Sequence, residues 1–271
     1  MKKAKSIITG ITVLAVSLIS MIPFWLMFSM STYQSEMIFQ NNPLIPSNYF
    51  MENVKTIFSS NFSRAYLNSF IISISAMLFS TLICAMVGYA MNVYHFKAKR
   101  IFYTLIMMTM MVPTQIGIIG YMIEMRNVHL NNTLLPLIFV WLASGLGAYW
   151  MISFVQSSLP LELVESARID GATEFRIFFR IAMPCIIPGL LTLCLLQFLW
   201  SWNSYMYPLV FVNKKENYTI PIFVKSLASA FRTDYGAQLC GLTLSTIPIL
   251  ILFSIGSKNF IKGLTAGAVK G

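Results

Sequence analysis

Six stretches of this sequence are long, apolar and free of charge. Ser6–Met30, Ala65–Met91, Ile101–Ile123, Leu134–Val155, Met183–Met206 and Leu239–Ser257 contain no Lys, Arg, Asp, Glu or His. A helix needs roughly 20 apolar residues to cross the hydrocarbon core of a bilayer. A chain of 271 residues that is 57% hydrophobic and only 10% charged carries more apolar surface than one water-soluble core of that size holds. The expected fold is an all-α membrane protein, a single polytopic transmembrane domain over residues 1–271 with six transmembrane helices. The basic-then-apolar start, MKKAKSIITGITVLAVSLIS, has the order of a secretory signal. Its apolar run exceeds the usual h-region and no A-x-A-like site follows, so an uncleaved first helix is expected.

Cations orient such a bundle. With the N-terminus inside, the internal segments hold 12 of the 19 Lys and Arg, and the longer external ones hold 7. The positive-inside bias then places both termini and the segment between the fourth and fifth spans in the cytoplasm. The formal charge of +10 is accounted for by topology and anionic membrane lipid, with no nucleic acid. Cys84, Cys185, Cys194 and Cys240 show no C-x-x-C spacing and read as small apolar fillers. His95 and His129 read as interfacial residues.

Between the first two spans, NYFMENVKTIF sets Phe50, Val54 and Phe58 at helical spacing, which predicts a short amphipathic helix. Pro113, Gly145 with Gly147, and Pro248 lie inside the spans, where a break survives only if protein or a water-filled cavity satisfies the freed backbone. Each is read either as a packing or kink position or as part of a path.

Absent motifs narrow the function. No G-x-x-x-x-G-K-[ST], H-E-x-x-H or G-x-S-x-G occurs, so no P-loop, zinc-protease or serine-hydrolase site is expected and an enzyme is disfavoured. No acid or histidine lies at membrane depth to carry a proton. Sodium coupling through backbone carbonyls and hydroxyls stays open. A protein that moves a solute uphill without its own motor needs a handle for another subunit.

The segment SSLPLELVESARIDGATEFRIFFRIAMP, residues 157–184, concentrates the charge between two spans. Pro160 suits a first helical turn and Glu162 suits its dipole. Leu161, Val164 and Arg168 share one stripe, with Glu162, Glu165 and Ile169 near another. The helix is expected to stop at Asp170–Gly171, where glycine takes the left-handed conformation freely. Thr173 would cap a second short helix whose Phe175, Phe178, Phe179 and Ala182 form an apolar face beside Arg176 and Arg180. Pro184 would lead into the fifth span. The unit is either an interfacial helix pair resting on lipid phosphates or a rigid protrusion.

ESARIDGATEFRIFFRIAMP resembles the EAA loop of permease subunits of binding-protein-dependent ABC importers. Glu165, Ala167, Asp170, Gly171, Ala172 and Pro184 match its spacing, with Ser166 for the usual second alanine. YLNSF (66–70), GYAM (88–91), MMVPTQ (110–115), SWNSYMYPL (201–209) and GLTAGAVKG (263–271) are similar to the maltose and multiple-sugar branch. Ser204 departs from it by lacking a carboxylate. The resemblance implies a non-catalytic permease subunit of a prokaryotic cell membrane. Its expected partners are a second homologous permease, a dimeric cytoplasmic ATPase and an extracytoplasmic sugar-binding protein. No cofactor is expected on this chain, and ATP and Mg are expected on the ATPase subunits. Glu165, Ser166, Ala167, Asp170, Gly171 and Ala172 would form a coupling helix in a groove of one ATPase, with the tail TAGAVKG nearby.

For the solute, Trp202, Asn203, Tyr205 and Tyr207 end the fifth span with aromatic faces and an amide that suit sugar rings and hydroxyls. They equally suit an outer aromatic belt. The segment 210–238 is either a surface for the binding protein or a plain connection. The reading is transport of a carbohydrate, an oligosaccharide by preference. The alternative from another class is a self-sufficient ion-coupled secondary carrier, followed by a structural or channel-forming bundle.

Overall fold

The computed structural model describes residues 2–228 and 233–268, with side chains described between residues 6 and 257. Among the described residues the chain is helical, with no β-strand beyond one isolated bridge between Ala228 and Thr233. The helices run in order as α1 (Lys2–Met30), α2 (Phe50–Ser59), α3 (Phe62–Ser75), α4 (Thr81–Val93), α5 (Lys99–Met111), α6 (Ile118–Asn127), α7 (Leu135–Leu142) and α8 (Gly145–Ser158). They continue as α9 (Leu161–Ile169), α10 (Glu174–Ile177), α11 (Met183–Trp202), α12 (Met206–Phe211), α13 (Ile220–Ser226) and α14 (Tyr235–Ala268). A π-helical turn, Ala76–Ser80, makes α3 and α4 one rod, and another, Phe178–Ala182, joins α10 to α11.

Among the described residues five helices are long and apolar enough to cross a membrane: Ser6–Met30, Phe62–Val93, Leu135–Ser158, Glu174–Trp202 and Tyr235–Ser257. The expected third span is not one straight helix. It is the pair Lys99–Met111 and Thr114–Asn127, bent by 92°. The cause is local. Val112, which precedes Pro113, is extended at φ −91° and ψ 121°, because the proline ring disfavours the α conformation of its predecessor. Counting the pair as one span gives six.

The fourth span is interrupted at Ala143 and Ser144, just before Gly145. Ser144 leaves the helical region and its Oγ accepts from the Gly147 amide at 3.0 Å, capping α8. Pro248, by contrast, lies inside the continuous helix α14. The fifth span also departs from expectation. It begins at Glu174 and ends at Trp202, instead of running from Met183 to Met206, so the expected short second helix of the charged segment is the first turn of a 29-residue helix. Pro184 is accommodated there because the π turn just before it relaxes the hydrogen-bond register that a proline ring would obstruct.

The chain forms two compact units. The first comprises the residues through Tyr66 together with Ile220–Pro248. In it, α2 buries Asn53 and Ile57, not the Phe50–Val54–Phe58 stripe, and Phe58 is half exposed. The reason is polar: Asn53 Nδ2 donates to the carbonyls of Ser31 and Tyr33, both at 2.8 Å, satisfying acceptors freed where α1 ends. Asp234 Oδ1 accepts from the Ala237 amide at 2.9 Å and from Ser35 Oγ at 2.6 Å, fastening the start of α14.

The second unit comprises Leu67–Thr219 and the chain from Ile249 onward. Its core gathers Cys84, Ala85 and Tyr89 of α4, Met151, Phe154 and Val155 of α8, Val164 and Ala167 of α9, and Ile186, Leu190 and Leu193 of α11. Asn68 of the YLNSF stretch is buried, donating to the carbonyls of Glu216 at 2.8 Å and Tyr218 at 3.0 Å. Helices α4 and α8 pack backbone to backbone at Gly88, where an added Cβ would lie 2.7 Å from the Met151 carbonyl. Gly88→Val is expected to destabilise the protein by about 1–3 kcal/mol through overpacking, seen as a lower thermal transition in detergent. Gly117→Ala, where an added Cβ meets nothing within 4 Å, should leave that transition in place.

Candidate functional site: the hairpin 159–184 and the cavity at the helix breaks

The hairpin is built on its turn. With Asp170 as the C-cap of α9, the Gly171 amide donates to the Arg168 carbonyl at 3.0 Å and the Ala172 amide to the Ala167 carbonyl at 2.9 Å. This is the Schellman pattern, which requires a left-handed residue after the cap. Gly171 supplies it at φ +77°. Thr173 then caps α10, its side chain accepting from the Arg176 amide at 3.4 Å. Pro160 is the residue before α9, one position earlier than a first-turn proline.

This geometry divides the six candidate coupling residues. Ala167 is buried and Ala172 is partly buried against the core that contains Ala167, and their small size lets the turn close on the bundle. Glu165, Ser166, Asp170 and Gly171 are exposed. Apolar tips stand among these polar groups: Ile169 is 86% exposed and Phe175 is 75% exposed. The expected apolar face of the second helix is split. Phe178 and Ala182 are buried, whereas Phe175 and Phe179 contact each other with tilted rings, centroids 4.5 Å apart, on the exposed side.

One carboxylate ties the hairpin to its neighbour. Glu174 Oε1 accepts from Arg168 Nε at 2.6 Å, and Oε2 accepts from the hydroxyls of Tyr94 at 2.7 Å and Tyr89 at 3.2 Å. The Arg168 guanidinium also lies over the Tyr94 ring at 5.8 Å. Burial, and then the bond to Glu174, raise the Tyr94 hydroxyl above its ordinary value, and the same carboxylate raises Arg168.

The second feature is a cavity of about 380 Å³ within the Leu67–Thr219 unit, at the two helix breaks. Thr109, Val112 and Thr114 line it from the bend at Pro113, and Ala143, Ser144 and Gly145 from the interruption of the fourth span. Trp141, Trp200 and Tyr207 supply aromatic faces. Gly145 and Gly147 are close-packing positions, the first against Thr109 and the second against Cys84 and Gln197.

Of the four residues expected to meet solute, Tyr207 lines this cavity and a smaller neighbouring one lined also by Ser69, Ser201, Ser204 and Thr219. Trp202 is 3% exposed, stacked on Phe198 at 5.3 Å and edge-on to Phe70 at 5.8 Å. Asn203 caps α11, its side chain bonded to the Leu199 carbonyl at 2.9 Å, and Tyr205 lines neither cavity. Trp141 and Trp200 were missed because spans rich in aromatics give no sign of which ring faces a cavity. The tail from Thr265 and the middle of segment 210–238 lie partly outside the described residues or their side chains.

Among the described residues, five to six helical elements long and apolar enough to cross a membrane define a polytopic membrane protein. Residues 80–266 match the family described as binding-protein-dependent transport system inner membrane component, and the chain belongs to that family. It is 36% identical over 204 residues to the arabinooligosaccharides transport system permease protein AraQ of Halalkalibacterium halodurans, covering 75% of this chain and 73% of that one. It is 31% identical over 253 residues to the diacetylchitobiose uptake system permease protein DasC of Streptomyces coelicolor, covering 92% and 91%. In fold it is similar to a chain of a bacterial ABC transporter involved in the import of the acidic polysaccharide alginate. The TM-score is 0.81 at 20% identity, over 95% of this chain and 97% of that one. The protein is thus a multi-pass protein of a prokaryotic cell membrane.

Gly171→Ala is expected to cost about 1–2 kcal/mol in the left-handed region, without a clash, since nothing lies within 4 Å of an added Cβ. Faster amide exchange at residues 171 and 172, with Gly171→Asn closer to the parent, is the corresponding measurement.

Proposed function

We propose that this chain is a permease subunit of an ABC importer that translocates a carbohydrate, most naturally an oligosaccharide. In this reading an extracytoplasmic binding protein delivers the solute, a second homologous permease completes the path, and a cytoplasmic ATPase pair binds ATP and Mg. The chain itself hydrolyses no ATP. The observation that carries the proposal is the hairpin: a rigid turn that exposes Glu165, Ser166, Ile169, Asp170 and Phe175 while anchoring itself through Val164, Ala167 and Ile177. Apolar tips among charges, on a turn held by backbone hydrogen bonds, suit insertion into a groove better than lying along lipid. The Lys and Arg distribution supports a cytoplasmic location for both termini and for the hairpin.

The carbohydrate reading rests on the relatives' names and on the cavity. Aromatic faces of Trp141, Trp200 and Tyr207, with the hydroxyls of Thr109, Thr114 and Ser144, offer stacking planes and hydrogen-bonding groups for a sugar ring. Helix breaks at membrane depth belong beside such a cavity, because there the freed backbone reaches polar partners. The six uncharged stretches offer no acid or histidine for proton coupling, in keeping with energy supplied by another subunit.

Purification in mild detergent is expected to bring down an ATPase pair and a second permease. Uptake by this chain alone in liposomes, driven by an ion gradient without ATP, would overturn the proposal. Glu165→Lys and Gly171→Pro should leave membrane insertion intact while abolishing uptake and releasing the ATPase. Trp141→Ala should raise the solute concentration for half-maximal uptake by about two- to tenfold, the equivalent of an aromatic contact of about 0.5–1.5 kcal/mol, measured in proteoliposomes holding the complete transporter.

A further inference from the structure

The hairpin and the cavity lie at opposite ends of one helix. Helix α8 starts at the Ser144 cap, where Ser144, Gly145 and Leu146 line the cavity, and ends at Ser158. Three residues later α9 begins. A force on α9 therefore reaches α8 through the short link Leu159–Pro160. A single link of this kind is a pivot. If it were the only attachment, α9 would tilt about it and little displacement would arrive at Ser144.

A second attachment exists, and it converges on one side chain. Glu174 receives Arg168 from the last turn of α9, Tyr94 from just beyond α4, and Tyr89 from within α4, at 2.6, 2.7 and 3.2 Å. Helix α4 is itself bound to α8. Gly88 lies against the Met151 backbone, and Asn92 Nδ2 donates both to the Ile152 carbonyl at 2.9 Å and to the Gly88 carbonyl of its own helix at 2.8 Å. The apolar contacts of Val164, Ala167, Ile177 and Phe178 oppose separation of the hairpin from the bundle, but hydrophobic burial is non-directional and tolerates sliding. Hydrogen bonds to an ionised carboxylate are directional and roughly twice as strong as neutral ones.

We propose that Glu174 is a positioning residue that latches the hairpin to α4, so that hairpin, α4 and α8 move as one body and the displacement is delivered to the helix break at Ala143–Ser144. This rests on the coupling reading above and adds to it a residue outside the groove-facing set. Ala143, at φ −101° and ψ 76°, belongs to neither α7 nor α8 and is where that body ends.

The test uses the complete transporter in proteoliposomes, with uptake and ATP hydrolysis measured in the same vesicles. Glu174→Ala is expected to leave co-purification of the ATPase unchanged and to lower solute imported per ATP hydrolysed by about five- to thirtyfold, the range of a coupling change of about 1–2 kcal/mol. Glu174→Gln, which keeps an acceptor for the tyrosines but loses the charge, should fall between. A merely structural role would reduce the amount of assembled transporter and scale uptake and hydrolysis together. An unchanged ratio in Glu174→Ala therefore overturns the proposal. If Glu174→Ala fails to assemble, the paired substitution Tyr89→Phe with Tyr94→Phe decides: a lowered ratio supports the latch and an unchanged one overturns it. Glu165→Lys serves as the control on the underlying reading. Should it leave both ATPase binding and import intact, the coupling reading falls, whatever Glu174 shows.

Discussion

Lipid offers a backbone no hydrogen-bonding partner, and the architecture follows from that. Each crossing segment must satisfy its own amides and carbonyls, which makes it a helix, and a helix can open only where something else takes over. The protein opens two, at Val112–Pro113 and at Ala143–Ser144. In the first, proline removes a donor and forbids its predecessor the helical conformation. In the second, the Ser144 hydroxyl accepts an amide that the restarting helix leaves free. Both breaks face the same cavity, and its walls take their hydroxyls and aromatic rings from the residues beside them. Backbone satisfaction and the lining of the cavity are thus one problem with one solution.

The hairpin shows how a motif can combine two kinds of requirement. Ala167, Gly171 and Ala172 serve the turn: one accepts the closing hydrogen bond, one has the left-handed conformation, and one donates that bond while packing on the core. Glu165, Ser166, Ile169 and Asp170 serve the outer surface. The helix that leaves this turn continues without interruption into a membrane-crossing segment, so the hairpin is an extension of the bundle and not a loop tethered to it. That continuity gives mechanical sense to the carboxylate of Glu174, which stands at the first residue of the long helix and binds two other elements.

The approximate places of the apolar segments were legible in the sequence because charge is excluded from lipid at large cost; among the described residues five of them are helices long enough to cross a membrane and one is a bent pair, and the fifth starts nine residues earlier than its uncharged block. The hairpin's stop at Asp170–Gly171 was legible too, since the left-handed position is a local requirement. Residues whose role depends on non-local neighbours were not. Asn53, outside the Phe50–Val54–Phe58 spacing, is a buried anchor for the end of α1. Trp202 suited a sugar platform or an outer aromatic belt equally, and is packed between Phe198 and Phe70. Nothing local to Glu174 shows that tyrosines 80 and 85 residues away meet it.

By itself, then, the sequence determined that this protein is a bundle of membrane-crossing helices with a capped, glycine-centred turn between two of them. Those properties depend on local hydropathy and backbone conformation, which neighbouring residues set. The tertiary structure alone decided which aromatic rings face the cavity, that one crossing segment bends by 92°, and which carboxylate joins the hairpin to α4. In an apolar chain nearly every face of every helix is compatible with lipid, so hydropathy cannot distinguish a side chain that meets protein from one that meets a cavity; only packing does.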